Sequence, residues 1–157
     1  MYEILNKING PADVKKLNMD ELNRLAGEIR EALFNRLTKI GGHFGPNFGI
    51  VEAEIAMHYV FDVSHQSYPH KMLTGRKAGY IDDEHFKDDS GYTNPDESEH
   101  DLFNVGHTST SISLATGLAK ARDLLGGKEN VIALIGDGSL SGGEALEGLN
   151  VAGSELN

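Results

Sequence analysis

The chain has 157 residues, 39% of them apolar, which is enough for one domain with a hydrophobic core. Its formal net charge of −10 argues against nucleic acid as a partner, because that polyanion needs a basic face. The absence of cysteine excludes disulfides and thiolate metal sites, and the lack of a signal peptide, transit peptide or long apolar run makes a cytoplasmic protein without membrane contact the expectation.

Residues Met1 to Lys16, broken by Asn9-Gly10-Pro11, read as a short arm. Asp20 is placed to cap an amphipathic helix whose apolar stripe is Leu22, Leu25, Ile29, Leu33 and Leu37, at steps of three and four. The charged residues of that helix, Glu21, Arg24, Glu28, Arg30, Glu31 and Arg36, are expected on a solvated face. The segment Gly41-Gly42-His43-Phe44-Gly45-Pro46-Asn47-Phe48-Gly49 then reads as a loop. Its histidine is suited to moving a proton near neutral pH, or is a surface residue of a turn. A second helix is predicted from about Ile50 to Phe61, apolar on most sides and therefore buried.

Asp62 to Lys71 is dense in groups that bind or transfer protons. His65 and His70 lack helical metal-ligand spacing, so no zinc site is read from that pair. Residues 77–101 carry nine acidic side chains against two lysines and read as an acidic, mobile loop whose charge serves solvation. Val105-Gly106-His107-Thr108-Ser109-Thr110-Ser111 opens a helix running to about Leu125, with Gly126-Gly127 ending it.

The five apolar residues Val131-Ile132-Ala133-Leu134-Ile135 read as a short buried strand of the parallel-sheet kind. Gly136-Asp137-Gly138 follows as a sharp turn, and Ser141-x-x-Glu144 as a capping box for the next helix. A carboxylate beside a helix N-terminus suits Mg²⁺ and a diphosphate, although the same residues also make an Asp-Gly turn with no ligand. Helix, tight turn and strand in this order predict an α/β fold with a parallel sheet flanked by helices.

Four segments carry a family resemblance: Gly42-His43 with its glycine loop, Asp62 to Arg76 (DVSHQSYPHKMLTGR), Gly106 to Arg122 (GHTSTSISLATGLAKAR) and Gly136 to Gly153 (GDGSLSGGEALEGLNVAG). With Glu97-Ser98-Glu99 they span nearly all of Leu17 to Gly153. The chain resembles the N-terminal part of the 1-deoxy-D-xylulose-5-phosphate synthase family, thiamine-diphosphate enzymes similar in architecture to transketolase. Transketolase shares chiefly the Gly-Asp-Gly pattern. The resemblance implies a partial thiamine-diphosphate-binding, transketolase-like domain. It implies a transferase that condenses pyruvate, after decarboxylation, with glyceraldehyde 3-phosphate to give 1-deoxy-D-xylulose 5-phosphate and CO₂, a precursor for isoprenoids, thiamine and pyridoxal. It also implies a homodimer, with thiamine diphosphate and Mg²⁺ as cofactors. By the same resemblance His43 and His107 are the candidate catalytic residues. His65, Gly106, His107, Thr108, Gly138 and Ser139 are candidate cofactor contacts, and Asp137 is the candidate Mg²⁺ ligand.

Two departures qualify the match. About nine residues of the family's pattern, including an apolar strand, are absent between Phe61 and Asp62. The chain also ends at Asn157, before the Asn-Asp-Asn triplet that completes the Mg²⁺ motif and before the distant glutamate that activates the cofactor. Residues 1–157 are thus expected to be the N-terminal part of a diphosphate-binding domain, inactive in isolation. Two other readings are a transketolase-type subunit and a non-catalytic fragment that keeps the fold.

Overall fold

Helix α2 (Met19–Ile40) organises the first of two compact units, Met1–Val105 and Gly106–Asn157, in a computed structural model that describes residues 2–156. It follows a four-residue helix, α1 (Pro11–Val14). The predicted stripe is the buried face: Leu25, Ile29, Leu33 and Leu37 are enclosed, with Ala26 and Ala32 between them and Leu22 at the margin. The cap is Asn18 and not Asp20. Its side chain accepts the Glu21 N–H at 3.0 Å while Glu21 Oε2 accepts the Asn18 N–H at 2.9 Å, so two orphan donors are satisfied reciprocally.

What covers α2 was not legible from its own periodicity. Ile4, Leu5, Ile8 and Val14 of the N-terminal arm are buried against it, so the arm is core and not an appendage. Glu28, expected in solvent, is 7% exposed and accepts the backbone N–H groups of Glu3, Ile4 and Leu5 at 3.0, 2.8 and 2.7 Å. Arg36, also expected in solvent, is buried. It donates to the Phe86 carbonyl at 3.0 Å and its guanidinium lies 4.5 Å from the centre of the Tyr80 ring.

Helices α3 (Phe44–Gly49) and α4 (Val51–Val60) come next. Only one side of α4 is enclosed, through Val51, Glu54, Ile55 and His58, whereas Tyr59, Val60 and Phe61 are exposed. Helix α5 (Tyr68–Lys71) is capped by Ser67, which accepts the His70 N–H at 3.1 Å. A kinked turn over Met72–Arg76 connects it to α6 (Ala78–Ile81). Gly75 makes that kink at φ 97°, and a Cβ there would stand 3.0 Å from the Asn9 carbonyl oxygen, so a side chain would be strained on both counts. Next to it Lys77 Nζ donates to the carbonyls of Asn6 and Ile8, both at 2.6 Å, fastening the arm.

The second unit is a pair of helices, α7 (Ser111–Leu125) and α8 (Gly143–Glu155). Helix α7 ends where predicted: Gly127 N–H reaches the Arg122 carbonyl at 2.9 Å and Gly126 N–H the Asp123 carbonyl at 3.2 Å. The two helices pack closely through Ile112, Thr116 and Ala119 on one side and Ala145 and Gly148 on the other. A Cβ on Gly148 would meet Ile112 Cγ2 and Ser113 N at 3.0 Å, so glycine sets the approach.

The expected α/β architecture is overturned. Among the described residues there is no parallel sheet, and the one ladder contact is an isolated antiparallel bridge between Thr93 and Val105. Val131–Ile135 is unpaired, with Ile132 and Leu134 exposed at 66% and 43%. The physical reason is non-local: a core strand needs partners for its backbone N–H and C=O groups on both edges. Among the described residues no second strand supplies them. No helix among the described residues is long and apolar enough to cross a membrane.

Candidate functional site

In the first unit, charged side chains gather where α4 meets α5. Glu54 and His58, four residues apart on α4, and His70 on α5 are all fully enclosed. Glu54 Oε1 lies 3.3 Å from His58 Nε2 and 3.6 Å from His70 Nδ1, and the two imidazole nitrogens are 3.0 Å apart. On the far side of His70, Nε2 meets Asp101 Oδ1 at 2.9 Å. Asp101 is gripped in turn by Arg76 through two contacts, at 2.7 and 2.8 Å, and accepts the Asn94 N–H at 2.8 Å. Glu97 joins Lys71 and Arg76 nearby. Two of the nine acidic residues in 77–101 therefore serve buried cations instead of solvent.

Burial pushes the Glu54 carboxyl up, but contacts with His58, His65 and His70 outweigh it and hold it well below the usual range. Burial also works against Asp101 and Glu97. Partners His70 and Arg76 keep Asp101 low, and Lys71 with the Ser90 N–H keeps Glu97 at about 2. His70 moves the other way: burial would lower it, yet Asp101 and Glu54 raise it.

A dependence of stability on pH follows. The depressed carboxylates contribute stability that is complete above their ordinary values near pH 4 and is lost as pH falls through the depressed ones. The raised histidine contributes stability that is complete below its ordinary value of about 6.5 and is lost as pH rises through the raised one. In chelator-treated buffer, urea unfolding followed by circular dichroism should show this unit losing stability as pH falls below about 4, while at about pH 6–7 the raised His70 and the burial-lowered His58 act in opposite directions. A midpoint flat from about pH 3 to 9 would contradict the assignment.

His43 and His65 belong to this unit. His43 is exposed at the start of α3, and its carbonyl accepts Asn47 Nδ2 at 2.8 Å. Asn47 Oδ1 accepts the Tyr68 N–H at 2.6 Å, so one buried amide joins the His43 loop to the segment containing His65. His65 is 21% exposed, and its Nδ1 stands 2.8 Å from Glu54 Oε2 as a charge contact without hydrogen-bond alignment.

The remaining candidates belong to the second unit. Gly106, His107, Thr108, Asp137 and Gly138 are exposed and Ser139 is half-buried. Asp137 Oδ1 accepts the Gly138 N–H at 2.8 Å. The loop and the turn are brought together by Ser109, whose Oγ donates to the Ser139 carbonyl at 2.6 Å. Ser109 does so from φ 73°, a costly conformation for a residue with a Cβ. The run of hydroxyl residues after His107 was the only sequence signal for it. His107 Nδ1 lies 3.0 Å from the Thr108 carbonyl. A carbonyl only accepts, so Nδ1 is the donor in this contact.

The predicted Ser141–Glu144 capping box does not form. Ser141 Oγ instead donates to the Gly138 carbonyl at 2.7 Å, closing a 3₁₀ turn over Ser139–Ser141. Helix α8 starts behind Gly142 with no side-chain cap, which leaves its first N–H groups unclaimed by any capping side chain.

A family model described as 1-deoxy-D-xylulose-5-phosphate synthase matches residues 5–157. The chain belongs to the 1-deoxy-D-xylulose-5-phosphate synthase family. It is similar to the synthase of Caldanaerobacter subterraneus subsp. tengcongensis, at 50% identity over 96% of this chain and 26% of that protein. Against the synthase of Natranaerobius thermophilus the identity is 48%, over 99% of this chain and 26% of the relative. Against that of Heliobacterium modesticaldum it is 49%, over 100% and 26%. The chain thus spans about a quarter of the length of these synthases.

Proposed function

We propose that this chain supplies the part of a 1-deoxy-D-xylulose-5-phosphate synthase that holds the diphosphate of thiamine diphosphate and its Mg²⁺. Membership of the family over residues 5–157, with Gly136-Asp137-Gly138-Ser139 inside the match, is the observation that carries this reading. In the full-length enzyme, which on this reading is a cytoplasmic homodimeric transferase, pyruvate and glyceraldehyde 3-phosphate are the substrates.

The residues fit the group. Asp137 offers an exposed, hard carboxylate oxygen of the kind Mg²⁺ takes beside phosphate. The uncapped start of α8, thirteen residues long, offers N–H groups and the positive end of a helix dipole to the phosphates. When bound, thiamine diphosphate supplies the carbanion chemistry of decarboxylation and carbon–carbon bond formation. Asp137 would hold the metal, and Gly138 and Ser139 would lie along the diphosphate. Gly106, His107 and Thr108 would contact the cofactor from the loop that Ser109 ties to the same turn, with His65 as a further contact. His107, oriented by its Nδ1 contact with the Thr108 carbonyl, and exposed His43 would act as proton carriers.

Calorimetric titration of the chain with thiamine diphosphate in Mg²⁺ tests this reading. Binding that weakens on the order of 100-fold in Asp137→Ala, with helicity retained, is the expected outcome. Absence of heat, or equal affinity in the variant, would favour a non-catalytic fragment. Turnover of pyruvate with glyceraldehyde 3-phosphate, assayed on the full-length protein, separates this reading from a transketolase-type one.

A further inference from the structure

We propose that Glu54, His58 and His70 form a binding site for a divalent transition-metal ion of the Zn²⁺ type, separate from the Asp137 site. The three donor atoms, Glu54 Oε1, His58 Nε2 and His70 Nδ1, form a triangle with sides of 3.0, 3.3 and 3.6 Å. Four-coordinate zinc bound at about 2.0–2.1 Å requires donors about 3.3 Å apart, so the triangle is one face of such a tetrahedron. Two imidazoles and one carboxylate are a donor set that suits zinc, leaving the fourth corner to an exogenous ligand. Among the described residues these three are the group whose ligand atoms converge in this way.

The surroundings argue in the same direction. All three side chains are fully enclosed, and both Glu54 oxygens and His58 Nδ1 lack a hydrogen-bond partner. Buried polar atoms of this kind are rarely left unsatisfied. Without an ion, His58 Nε2 and His70 Nδ1 face one another and share a single proton, while Glu54 Oε1 has none; a cation at the centre engages all three lone pairs. The outer shell is also built. Asp101 accepts from His70 Nε2 and is itself fixed by Arg76, the arrangement that orients a metal-binding histidine and raises its basicity. His65, beside Glu54 Oε2, is the partly exposed member of the surroundings. Glu54 and His58 sit at i and i+4 on one helix face, a spacing that the reading of His65 and His70 as a pair had passed over.

The proposal does not depend on the thiamine-diphosphate reading, and its test omits that cofactor. Tag-free chain, stripped with chelator, is equilibrated with ZnCl₂ and assayed for bound metal by mass spectrometry. One zinc per chain is expected. Affinity should fall on the order of 100-fold in Glu54→Gln and His58→Gln and stay unchanged in Glu52→Gln, whose carboxylate is on the exposed side of α4. Cobalt loaded into the unmodified chain supplies a measurement independent of variant folding: the strong visible absorption of four-coordinate Co²⁺ is expected. The weak spectrum of six-coordinate cobalt, substoichiometric zinc, or undiminished zinc affinity in the folded Glu54 and His58 variants would overturn the proposal.

Discussion

Asp101→Ala should destabilise the first unit by about 3–5 kcal/mol, the usual cost of removing one partner from a buried ion pair. The Asp101 side chain is fully enclosed and serves Arg76, His70 and the Asn94 N–H at once. Removing it leaves the Arg76 guanidinium, itself only 9% exposed, with Glu97 alone at 3.3 Å, and takes from His70 Nε2 the carboxylate that accepts its proton. Asp101→Asn should lose less, because the amide still accepts one hydrogen bond. Urea unfolding in chelator-treated buffer, with the transition of this unit followed by circular dichroism, measures both. A loss under about 1 kcal/mol for the alanine variant, typical of surface pairs, would show that the network is solvated.

Glu28→Ala should be the other severe substitution. Its carboxylate receives three successive backbone N–H groups, those of Ile4 and Leu5 being buried. Each buried donor left without a partner costs about 1–3 kcal/mol, so detachment of the arm from α2 becomes the cheaper outcome. Hydrogen exchange gives the direct readout: the amides of Ile4 and Leu5 should lose protection in the variant while those in the middle of α2 keep it. Glu28→Gln, which retains one acceptor oxygen, should fall between. Unchanged protection at Leu5 in Glu28→Ala would refute the anchoring role.

These two side chains also mark the limit of what the sequence discloses. Spacing of apolar residues found α2, because Leu25, Ile29, Leu33 and Leu37 repeat at helical steps whatever lies outside. The same spacing put Glu28 and Arg36 in water. A helix pattern describes one face, and says nothing of an arm or a tyrosine ring arriving from elsewhere in the chain. The end of α7 was equally legible, since Gly126-Gly127 acts through bonds to residues a few positions back. The sheet was misread for the converse reason. Val131–Ile135 has strand character, but pairing is a property of two segments, and among the described residues no other segment pairs with it. The candidate site was legible in part: the turn at Asp137 and the loop at His107 were picked out by glycine and hydroxyl patterning. Glu54 and His58 were hidden in a helix judged by its apolar residues, and Ser109 by a conformation no residue-type count reveals.

That unpaired run has a consequence for the chain as a solute. Five consecutive apolar residues, three of them β-branched, with free backbone donors and acceptors form a template onto which a second copy can add, strand on strand. Lys128 and Glu129 before it and Asp137 after it are the charges that oppose such stacking, the role of gatekeepers flanking an aggregation-prone segment. The aspartate read as a metal ligand thus has a second employment, as electrostatic protection for the most adhesive stretch of its own polypeptide.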